Sequence, residues 1–421
     1  MHDPRALLSS DTAAAHLARR GYRLDTAAVD HLVRERSRLT TERDTLRTAA
    51  RSSTRQRGQG AHENAAAGRD LRSQIHDTES ELKEVEQLLK DLLLAIPNLP
   101  LDEAPSGSPA DPAVEICQWG TPTEFDFAPR DHVTLGTSMG ILDLERAGKI
   151  SGARFAIASG AGARLERALA AFFLDLHTQQ HGYRELSLPH LVNRETMTAT
   201  GQLPKFSDDL FATQVADREL FLIPTAEVPL VNLFRGEILP AAELPVAVTA
   251  HTACFRSEAG SYGRDTRGII RLHEFAKVEL VRICAPEDAE AQHEVILAHA
   301  ETCLQNLGLH YRVVDLRAGD LGFSAQRTYD LEVWLPSQGC FREISSVSNC
   351  GTFQGRRAGI KVRKGGTKEF AATLNGSGLP VGRTVVALLE QFQQGDGSVA
   401  IPAALVPYTG FELITSDGST K

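Results

Sequence analysis

The sequence lacks the features that would mark a zinc protein or a membrane protein. Its six cysteines are scattered over 421 residues without a C-x-x-C pair, so we expect reduced thiols and no zinc site. His177 and His181 have the spacing of zinc ligands on a helix, but no glutamate lies between them, which argues against a zinc peptidase. No apolar run is long enough to cross a membrane, and the first residues carry no signal or presequence pattern. These absences predict a cytoplasmic protein without a membrane partner.

An excess of positive charge and the common nucleotide-binding loops are also missing. The net charge is −9, so any contact with nucleic acid must be local. Neither G-x-x-x-x-G-K-[ST] nor a strand-anchored G-x-G-x-x-G occurs, which excludes a P-loop or a dinucleotide fold for any nucleotide site. A chain of 421 residues exceeds one ordinary core and should form at least two folding units.

The first hundred residues predict a long helical hairpin. From Asp25 to Arg57 there is no Gly or Pro, and Leu32, Leu39 and Leu46 are seven residues apart. A Gly-Gln-Gly break at 58–60 precedes a second helix with a heptad seam. The seam consists of Leu71, Ile75, Thr78, Leu82, Val85, Leu89, Leu92 and Ile96. Each helix would reach about 45 Å, too long to be buried in a globule, so we expect an antiparallel coiled-coil arm over about 25–96.

The first of these helices is strongly basic within an acidic protein. Between positions 34 and 57 it has eight arginines against three acidic residues. The arginines are Arg34, Arg36, Arg38, Arg43, Arg47, Arg51, Arg55 and Arg57. Arginine suits contacts with phosphate and ribose, yet a solvated coiled-coil face or a dimerisation helix explains the same composition. Because Arg36 and Arg43 fall on the expected seam, a purely structural coiled coil is less attractive.

A Pro-, Ser-, Gly- and Asp-rich linker from Ile96 to Pro112 marks the domain boundary. We divide the chain into an N-terminal domain of residues 1–104 and a second domain of residues 105–421. In the second domain, helices alternate with short strand-like runs that lack regular β-α-β spacing. We therefore expect an α+β fold, with an antiparallel sheet flanked by helices.

Segment 253–279 carries the densest set of polar residues. Alternating apolar positions, with Ile270 and Leu272 on the return side, predict two antiparallel strands joined by a Gly- and Arg-rich loop. Arg256 and Glu258 would leave the same face of the first strand. There a guanidinium can clamp a phosphate or carboxylate, and a carboxylate can accept from the amino group of adenine. A surface hairpin with a salt-bridged pair is the alternative.

Further segments combine carboxylates, hydroxyls and glycines. Thr225–Glu227 can grip an ammonium group from an extended segment, or can form a helix N-cap. Glu343–Ser346 can hold Mg²⁺ with nucleotide phosphates, or can be a strand running into a serine-rich turn. Segment 373–378 allows close backbone approach, with Arg383 at a helix start facing the same pocket; a turn and a capped helix explain it equally. Glu279 lies among apolar neighbours, so it needs a specific donor if buried.

Together these segments resemble bacterial seryl-tRNA synthetases over the whole chain. The matching stretches are residues 176–183, 200–206, 225–230, 255–268, 329–334, 343–349 and 373–384. The resemblance implies the class II synthetase fold, with signature motifs around 163–189, 253–279 and 375–392, and usually a homodimer. It also implies ATP-dependent activation of L-serine to seryl-adenylate and transfer to tRNA(Ser), and to tRNA(Sec).

The resemblance also implies roles for individual residues. Serine would be bound by Thr225, Ala226, Glu227, Glu279, Asn375 and Ser377. ATP would be bound by Arg256, Ser257, Glu258, Phe275, Glu343, Ile344, Ser345, Ser346 and Arg383. Within this set Arg256, Glu343 and Arg383 would be catalytic, and Glu343 and Ser346 would hold Mg²⁺. The tRNA would be bound by Arg34, Arg36, Arg38, Arg43, Arg47, Arg51 and Arg55 on the arm, and by Arg264 and Arg267 in the loop 261–268.

Three positions depart from the family's usual pattern. Gly351 and Thr352 stand just before Phe353, where the family usually has an acidic residue, and Pro380 replaces a usual alanine. None of them is an assigned ligand. A specialised second synthetase, for self-resistance to a seryl-adenylate-like inhibitor or for a biosynthetic pathway, remains an alternative. A relative that charges a carrier protein is disfavoured by the arginine arm, and a non-catalytic tRNA-binding protein by the complete ligand set.

Overall fold

The computed structural model describes residues 1–9, 11–55, 61–107, 111–259 and 268–421, leaving aside the side chains of 11, 53–55 and 61–67. The chain forms two compact units, Met1–Leu99 and Pro100–Lys421. The division therefore falls inside the Pro-rich linker, slightly before position 104. No described helix is long and apolar enough to span a membrane.

The N-terminal unit is built around two long helices that pack against each other. Its helices are α1 (Pro4–Leu8), α2 (Asp11–Arg19), α3 (Thr26–Arg55) and α4 (Ala61–Ala95). Leu39, Leu82 and Leu89 are buried along the seam between α3 and α4, as their heptad spacing predicts. Leu17 and Val29 belong to the apolar cluster that joins the shorter helices to the ends of the long ones. The predicted helical hairpin is confirmed.

The second unit contains a large sheet that is antiparallel except at one edge. From one edge to the other its strands are β1 (Val114–Trp119), β11 (Tyr311–Asp315), β12 (Arg327–Leu335), β13 (Cys340–Asn349), β16 (Ala372–Pro380), β10 (Glu274–Cys284), β9 (Val246–Phe255) and β4 (Arg184–Glu185). Only the short edge strand β4 pairs in parallel, with β9. This order confirms the expected α+β class.

Smaller strands form four further sheets. They are β2 (Leu142–Asp143), β3 (Ile157–Ala158), β5 (Leu191–Val192), β6 (Ala212–Val215), β7 (Arg218–Leu222), β8 (Ile238–Pro240), β14 (Lys361–Lys364), β15 (Thr367–Phe370), β17 (Val399–Ala400) and β18 (Leu413–Ile414). The helices of this unit are α5 (His132–Ser138), α6 (Leu144–Ser151), α7 (Ala161–Asp175), α8 (Arg194–Thr200), α9 (Glu227–Asn232), α10 (Ala289–Asn306), α11 (Phe353–Ala358), α12 (Val381–Gln391) and α13 (Val406–Thr409).

Three helices pack on the large sheet and share an apolar core with it. Helices α7, α10 and α12 contact the central strands, and Phe173, Leu280 and Leu388 are buried in the core they share. Helix α7 continues into a π-helical turn, Leu176–Gln180. Helix α12 begins at Val381, which places Arg383 in its first turn.

Two expectations for segment 253–279 are wrong in detail. Strand β9 ends at Phe255, so Arg256 and Glu258 follow the strand instead of sharing one of its faces. Glu258 has a left-handed φ of 54°, which turns the chain out of the strand direction. Strand β10 begins at Glu274, so Ile270 and Leu272 precede it. The loop between them, with Arg264 and Arg267, lies largely outside the described residues.

The departures from the family pattern lie around the turn from β13 into α11 and at the end of β16. Gly351 has a φ of 50°, and a Cβ there would lie 2.4 Å from Gln326 Oε1, so this turn favours glycine. Thr352 immediately precedes α11, and its carbonyl accepts from Arg356 N–H at 2.9 Å. Pro380 ends β16 at the start of α12, where a missing N–H donor is tolerated.

We predict that Gly355→Ala lowers the melting temperature. Helix α11 approaches Ala371 so closely that a Cβ at Gly355 would lie 2.2 Å from the Ala371 carbonyl oxygen, and overpacking of this kind costs about 1–3 kcal/mol. Gly148→Ala in α6 is the matched control, because a Cβ there meets no atom within 4 Å and alanine favours a helix. Thermal unfolding of both variants checks the prediction; equal melting temperatures would contradict the close packing of α11.

Candidate active site

A cleft of about 250 Å³ lies over strands β10, β13 and β16 and the start of α12. Twelve of the fifteen residues predicted to bind serine or ATP line this one cleft. They are Thr225, Glu227, Arg256, Glu258, Phe275, Glu279, Glu343, Ile344, Ser346, Asn375, Ser377 and Arg383. Residues that are up to 158 positions apart, from Thr225 to Arg383, thus meet because β10, β13 and β16 are neighbours in the sheet.

Strand pairing brings polar side chains together at one end of the cleft, which we call the polar end. Glu279 on β10 is directly opposite Ser377 on β16, and side chains opposite each other in an antiparallel pair share a face. Lys277 lies two residues before Glu279 on β10, and its Nζ forms an ion pair with Glu279 Oε2. Thr225 Oγ1 lies 3.1 Å from both Lys277 Nζ and Glu279 Oε2. The expected donor to Glu279 is therefore confirmed, and it is a pair: a lysine and a threonine.

Glu227 is a second buried carboxylate beside this cluster. Burial, and then the charge of Glu279, raise the pKa of Glu227 to about 7, although Gln354, Lys277 and Asn375 act in the opposite direction. Burial also raises the pKa of Glu279, and Lys277 opposes that shift. The polar end therefore holds two buried carboxylates against one ammonium group, and a further cation would stabilise their charged forms.

The segment that carries Thr225 and Glu227 is a turn, and the expected extended conformation is wrong. Glu227 is the first residue of α9, and its N–H donates to Thr225 Oγ1 at 3.3 Å. The helix-capping alternative is therefore partly realised. Both side chains nevertheless line the cleft, so capping and site formation are compatible here.

An irregularity in β13 brings Glu343 and Ser346 to the same cleft. Residues three apart on a regular strand point to opposite faces. Here Leu331 pairs with Ser345 and Glu332 with Glu343, so Ile344 is an extra residue on β13, and a bulge of this kind re-aims the neighbouring side chains. The alternative of a serine-rich turn is wrong, because these residues lie within β13.

Acidic Asp330 stands next to this pair. Ser346 Oγ donates a hydrogen bond to Asp330 Oδ1. Burial, and then the charge of Glu343, raise the pKa of Asp330 well above its usual value. Burial acts to raise the pKa of Glu343 as well, but Arg383 and Arg256 outweigh it and the pKa is lowered. Glu343 is therefore held as a carboxylate in the cleft.

Arginines dominate the other end of the cleft. Arg383 Nη1 donates to the Glu343 carbonyl oxygen at 2.8 Å and to Glu343 Oε1 at 3.0 Å. The guanidinium of Arg256 lies over the ring of Phe275, 5.1 Å from its centroid. Glu258 forms an ion pair with Arg271 of the return segment at 2.5 Å. The sequence leaves open an ion pair between Arg256 and Glu258 as an alternative; in the structure Arg271 is an ion-pair partner of Glu258.

Three sequence-predicted ligands do not line the cleft. Ala226 is fully buried. Ser257 Oγ donates to the Asp208 carbonyl oxygen at 2.5 Å, and Ser345 Oγ donates to the Ser377 carbonyl oxygen at 2.8 Å. The hydroxyls of both serines thus hold the backbone around the cleft.

Two residues that the sequence argument passed over also belong to the site. Lys277 lines the cleft, and its position two residues before Glu279 was the available signal, since residues i and i+2 of a strand share a face. Gln354 is buried and donates to Glu227 Oε1 at 2.7 Å. No sequence pattern connects Gln354 with Glu227, which is 127 residues away.

The basic helix of the N-terminal unit is less positive than its arginine count indicates. Ion pairs with acidic residues occupy four of the six arginines whose side chains the structure describes. These four are Arg34, Arg38, Arg43 and Arg47. Arg36 and Arg51 form no ion pair with other described residues. The side chain of Arg55 and the whole of Arg57 lie outside the description.

The chain is similar to known proteins in both of its units. Residues 1–100 match the model of the seryl-tRNA synthetase N-terminal domain, and residues 210–392 match that of the tRNA synthetase class II core domain (G, H, P, S and T). The "Serine--tRNA ligase 2" of Streptomyces avermitilis is 58% identical over 100% of both chains. The serine--tRNA ligase of Acidobacterium capsulatum is 53% identical over 93% of this chain and 91% of that protein.

A solved structure shows the same architecture. The seryl-tRNA synthetase of Pyrococcus horikoshii, crystallised with ATP, superposes with a TM-score of 0.90 at 32% identity over 99% of each chain. The antiparallel sheet with its cleft is thus the catalytic core of a class II aminoacyl-tRNA synthetase. Within that class, the chain belongs to the seryl-tRNA synthetase family. It is an enzyme, a serine--tRNA ligase.

We predict that Lys277→Met destabilises the protein increasingly as the pH rises. The change leaves Glu279 buried without its cation, so the pKa of Glu279 would rise further above the ordinary value of 4.5 for a glutamate. In acid the Glu279 carboxyl is protonated and uncharged in both states, so the missing cation costs little. As the pH rises above the pKa of Glu279 in the unfolded state and toward its higher pKa in the folded state, the folded state loses stability. The deficit in melting temperature should therefore be larger at pH 8 than at pH 5.

The double variant with Lys277→Met and Glu279→Gln is the control. It removes both charges, so no carboxylate is left buried alone, and its melting temperature should not depend on pH more than that of the parent. A deficit of equal size at both pH values in the single variant would contradict the pairing of Lys277 with Glu279.

Proposed function

We propose that the cleft aligns serine and ATP for adenylate formation. Serine lies at the polar end, and the triphosphate lies at the opposite end, the arginine end, which Arg256 and Arg383 line. The observation that carries this proposal is the position of the buried Thr225, Lys277 and Glu279 cluster in the same cleft as Arg256 and Arg383. An amino acid that bridges the two ends presents its ammonium group to carboxylates and its own carboxylate to a guanidinium.

Serine recognition is assigned to the polar end. Glu227 and Thr225 receive the ammonium group, while Glu279, with Ser377 and Asn375 nearby, receives the side-chain hydroxyl. Alanine would leave these buried polar groups without a partner, which is costly. Threonine carries one methyl group more and is excluded by size.

ATP recognition is assigned to the arginine end. Arg256 bridges the serine carboxylate and the α-phosphate, Glu258 accepts from the adenine amino group, and Phe275 stacks on the adenine ring. Arg383 neutralises the γ-phosphate. Arg271 holds Glu258 and Arg256 lies over the ring of Phe275, and these contacts support the assignment of these side chains to one ligand.

We also propose that Glu343 and Ser346 hold Mg²⁺ together with the nucleotide phosphates. Among the described residues, no group of three or more His, Cys, Asp or Glu side chains can hold a metal ion by itself. Two protein ligands nevertheless suit Mg²⁺, which takes its other ligands from phosphates and water. The bulge at Ile344, which brings both oxygens to the cleft, fits this role. When bound, Mg²⁺ supplies charge neutralisation on the phosphates.

The proposed reaction needs positioning more than proton transfer. A serine carboxylate oxygen attacks the α-phosphorus of ATP, the bond to the β-phosphate oxygen breaks, and pyrophosphate leaves. A terminal ribose hydroxyl of tRNA then attacks the seryl carbonyl carbon, and AMP leaves. Arg256 aligns the attacking carboxylate and balances charge at the α-phosphorus, while Arg383 holds the leaving phosphates.

The arm of α3 and α4 is proposed to contact tRNA(Ser), and tRNA(Sec) by the same family likeness. Arginines on a long exposed helix read backbone and shape rather than sequence. Arg264 and Arg267, outside the described residues, are assigned to the acceptor end. A homodimer is proposed because it is usual in the family. A cytoplasmic location is proposed as well, because tRNA and ATP are used there.

A specialised second synthetase stays a separate proposal. The name of the Streptomyces avermitilis relative carries the numeral 2, which by itself does not separate a housekeeping role from a specialised one. Charging in the presence of a non-hydrolysable seryl-adenylate analogue separates them, since unusual resistance favours the specialised role.

We predict that Glu227→Gln raises the KM for serine about 10- to 100-fold in ATP–pyrophosphate exchange, the effect of losing one charged hydrogen bond of about 1.5–3 kcal/mol. The KM for ATP should change little. In the parent, the affinity for serine should fall as the pH drops below about 7, because Glu227 takes up a proton. The variant should lose this dependence, and an unchanged KM for serine would overturn the assignment of Glu227.

We predict that Arg36→Glu with Arg51→Glu lowers kcat/KM for tRNA at least about tenfold and weakens its salt dependence, because phosphate contacts are lost. Pyrophosphate exchange, which needs no tRNA, should be unchanged. Lys83→Glu with Lys90→Glu on α4 is the matched control, since it alters net charge equally on exposed positions of the same arm. Equal losses from both double variants would attribute the effect to net charge and not to α3.

A further inference from the structure

Gln354 reaches Glu227 from the interior of the protein. It lies on α11, is 1% exposed and does not line the cleft. Its Nε2 donates to Glu227 Oε1 at 2.7 Å and to the Thr200 carbonyl oxygen at 3.1 Å. A residue in this position cannot touch serine, so any influence on serine passes through Glu227.

The orientation of the Gln354 amide is determined by its partners. Thr373 Oγ1 donates to Gln354 Oε1 at 2.7 Å, while the amide nitrogen faces two acceptors. A flipped amide would place its oxygen against the Glu227 carboxylate and the Thr200 carbonyl, and its nitrogen against the hydroxyl of Thr373. Since a glutamine amide offers donors on one side only, the network aims an N–H at Glu227.

This hydrogen bond acts on both the position and the charge of Glu227. The hydrogen bond engages Oε1 of Glu227, so Oε2 is the carboxylate oxygen that does not accept from Gln354. A donor to the ionised form favours that form, and Gln354 does lower the pKa of Glu227 against burial and the charge of Glu279. The other groups that face Glu227 are Lys277 on β10 and Asn375 on β16, and both act in the same direction as Gln354.

We propose that Gln354 is a positioning residue for serine binding, which holds Glu227 in place and in its ionised form. The proposal rests on the assignment of Glu227 to the serine ammonium group. Helix α11 thereby gains a function: its close approach to Ala371, which Gly355 permits, brings Gln354 within reach of Thr373 and Glu227. The segment that departs from the family pattern at Gly351 and Thr352 leads directly into this helix.

The test is the pH dependence of the KM for serine in the full-length Gln354→Met variant, measured by ATP–pyrophosphate exchange. At pH 7 we expect an increase of about 10- to 100-fold, the effect of one lost hydrogen bond to a charged group, with the KM for ATP little changed. Part of the increase should be recovered at pH 8.5, because Glu227 ionises at a higher pH in this variant. An increase that is the same at all pH values would indicate a purely structural role and overturn the proposal.

Gln354→Glu is the matched variant of almost equal size. It replaces the donor by an acceptor, so it should impair serine binding more than Gln354→Met above pH 7; an equal or smaller effect would contradict the proposal. Should neither variant fold, Thr373→Val releases the amide while Gln354 remains, and a smaller increase with the same pH signature is expected. If Glu227→Gln raises the KM for serine but none of these variants does, only the role of Gln354 fails.

Discussion

A buried lysine–glutamate pair on one strand constrains the whole cleft. Lys277 and Glu279 are both nearly inaccessible, and a buried charge that loses its partner is strongly destabilising. Their surroundings must therefore supply hydrogen bonds. Thr225 does so from the turn before α9, and Ser377 lies opposite on β16. The register of β10 against β16 and the conformation of that turn are thus consequences of the same requirement.

The sequence predicts best those elements in which apolar residues recur at a short, regular spacing. The heptad of α4 and the uninterrupted helix α3 appear nearly as expected, because burial of one helix face repeats every three or four residues. The same applies to β12 and the core of β10, whose alternation or apolar runs are visible in the sequence. The sequence also shows the excess of arginines in α3, but it does not show which acidic residues pair with them. Arg47 meets Glu79 of the other helix, so the free charge of the arm depends on a tertiary contact.

The features that the sequence did not reveal depend on the pairing of distant segments. Ile344 is an extra residue only with respect to the pairing of β13 with β12, so no pattern within β13 alone predicts it. Strand β9 ends at Phe255, although the Arg256 N–H still donates to the carbonyl of His273, the residue before β10. Gln354 belongs to the site only because α11 packs against the start of β16. Family resemblance implies the candidate ligands; it does not show what holds their side chains.

The charges in the cleft determine how an amino acid can enter it. At one end Glu227 and Glu279 face a single cation, Lys277, so a bound ammonium group completes the balance. At the other end three guanidinium groups, of Arg256, Arg271 and Arg383, face the two carboxylates of Glu258 and Glu343, so this end suits phosphate and carboxylate groups. Under the proposed assignment, a zwitterion would therefore be oriented with its carboxylate toward the α-phosphate. Every amino acid satisfies this orientation, so the charges select the direction of binding, while selection of serine falls to the few polar atoms around its hydroxyl.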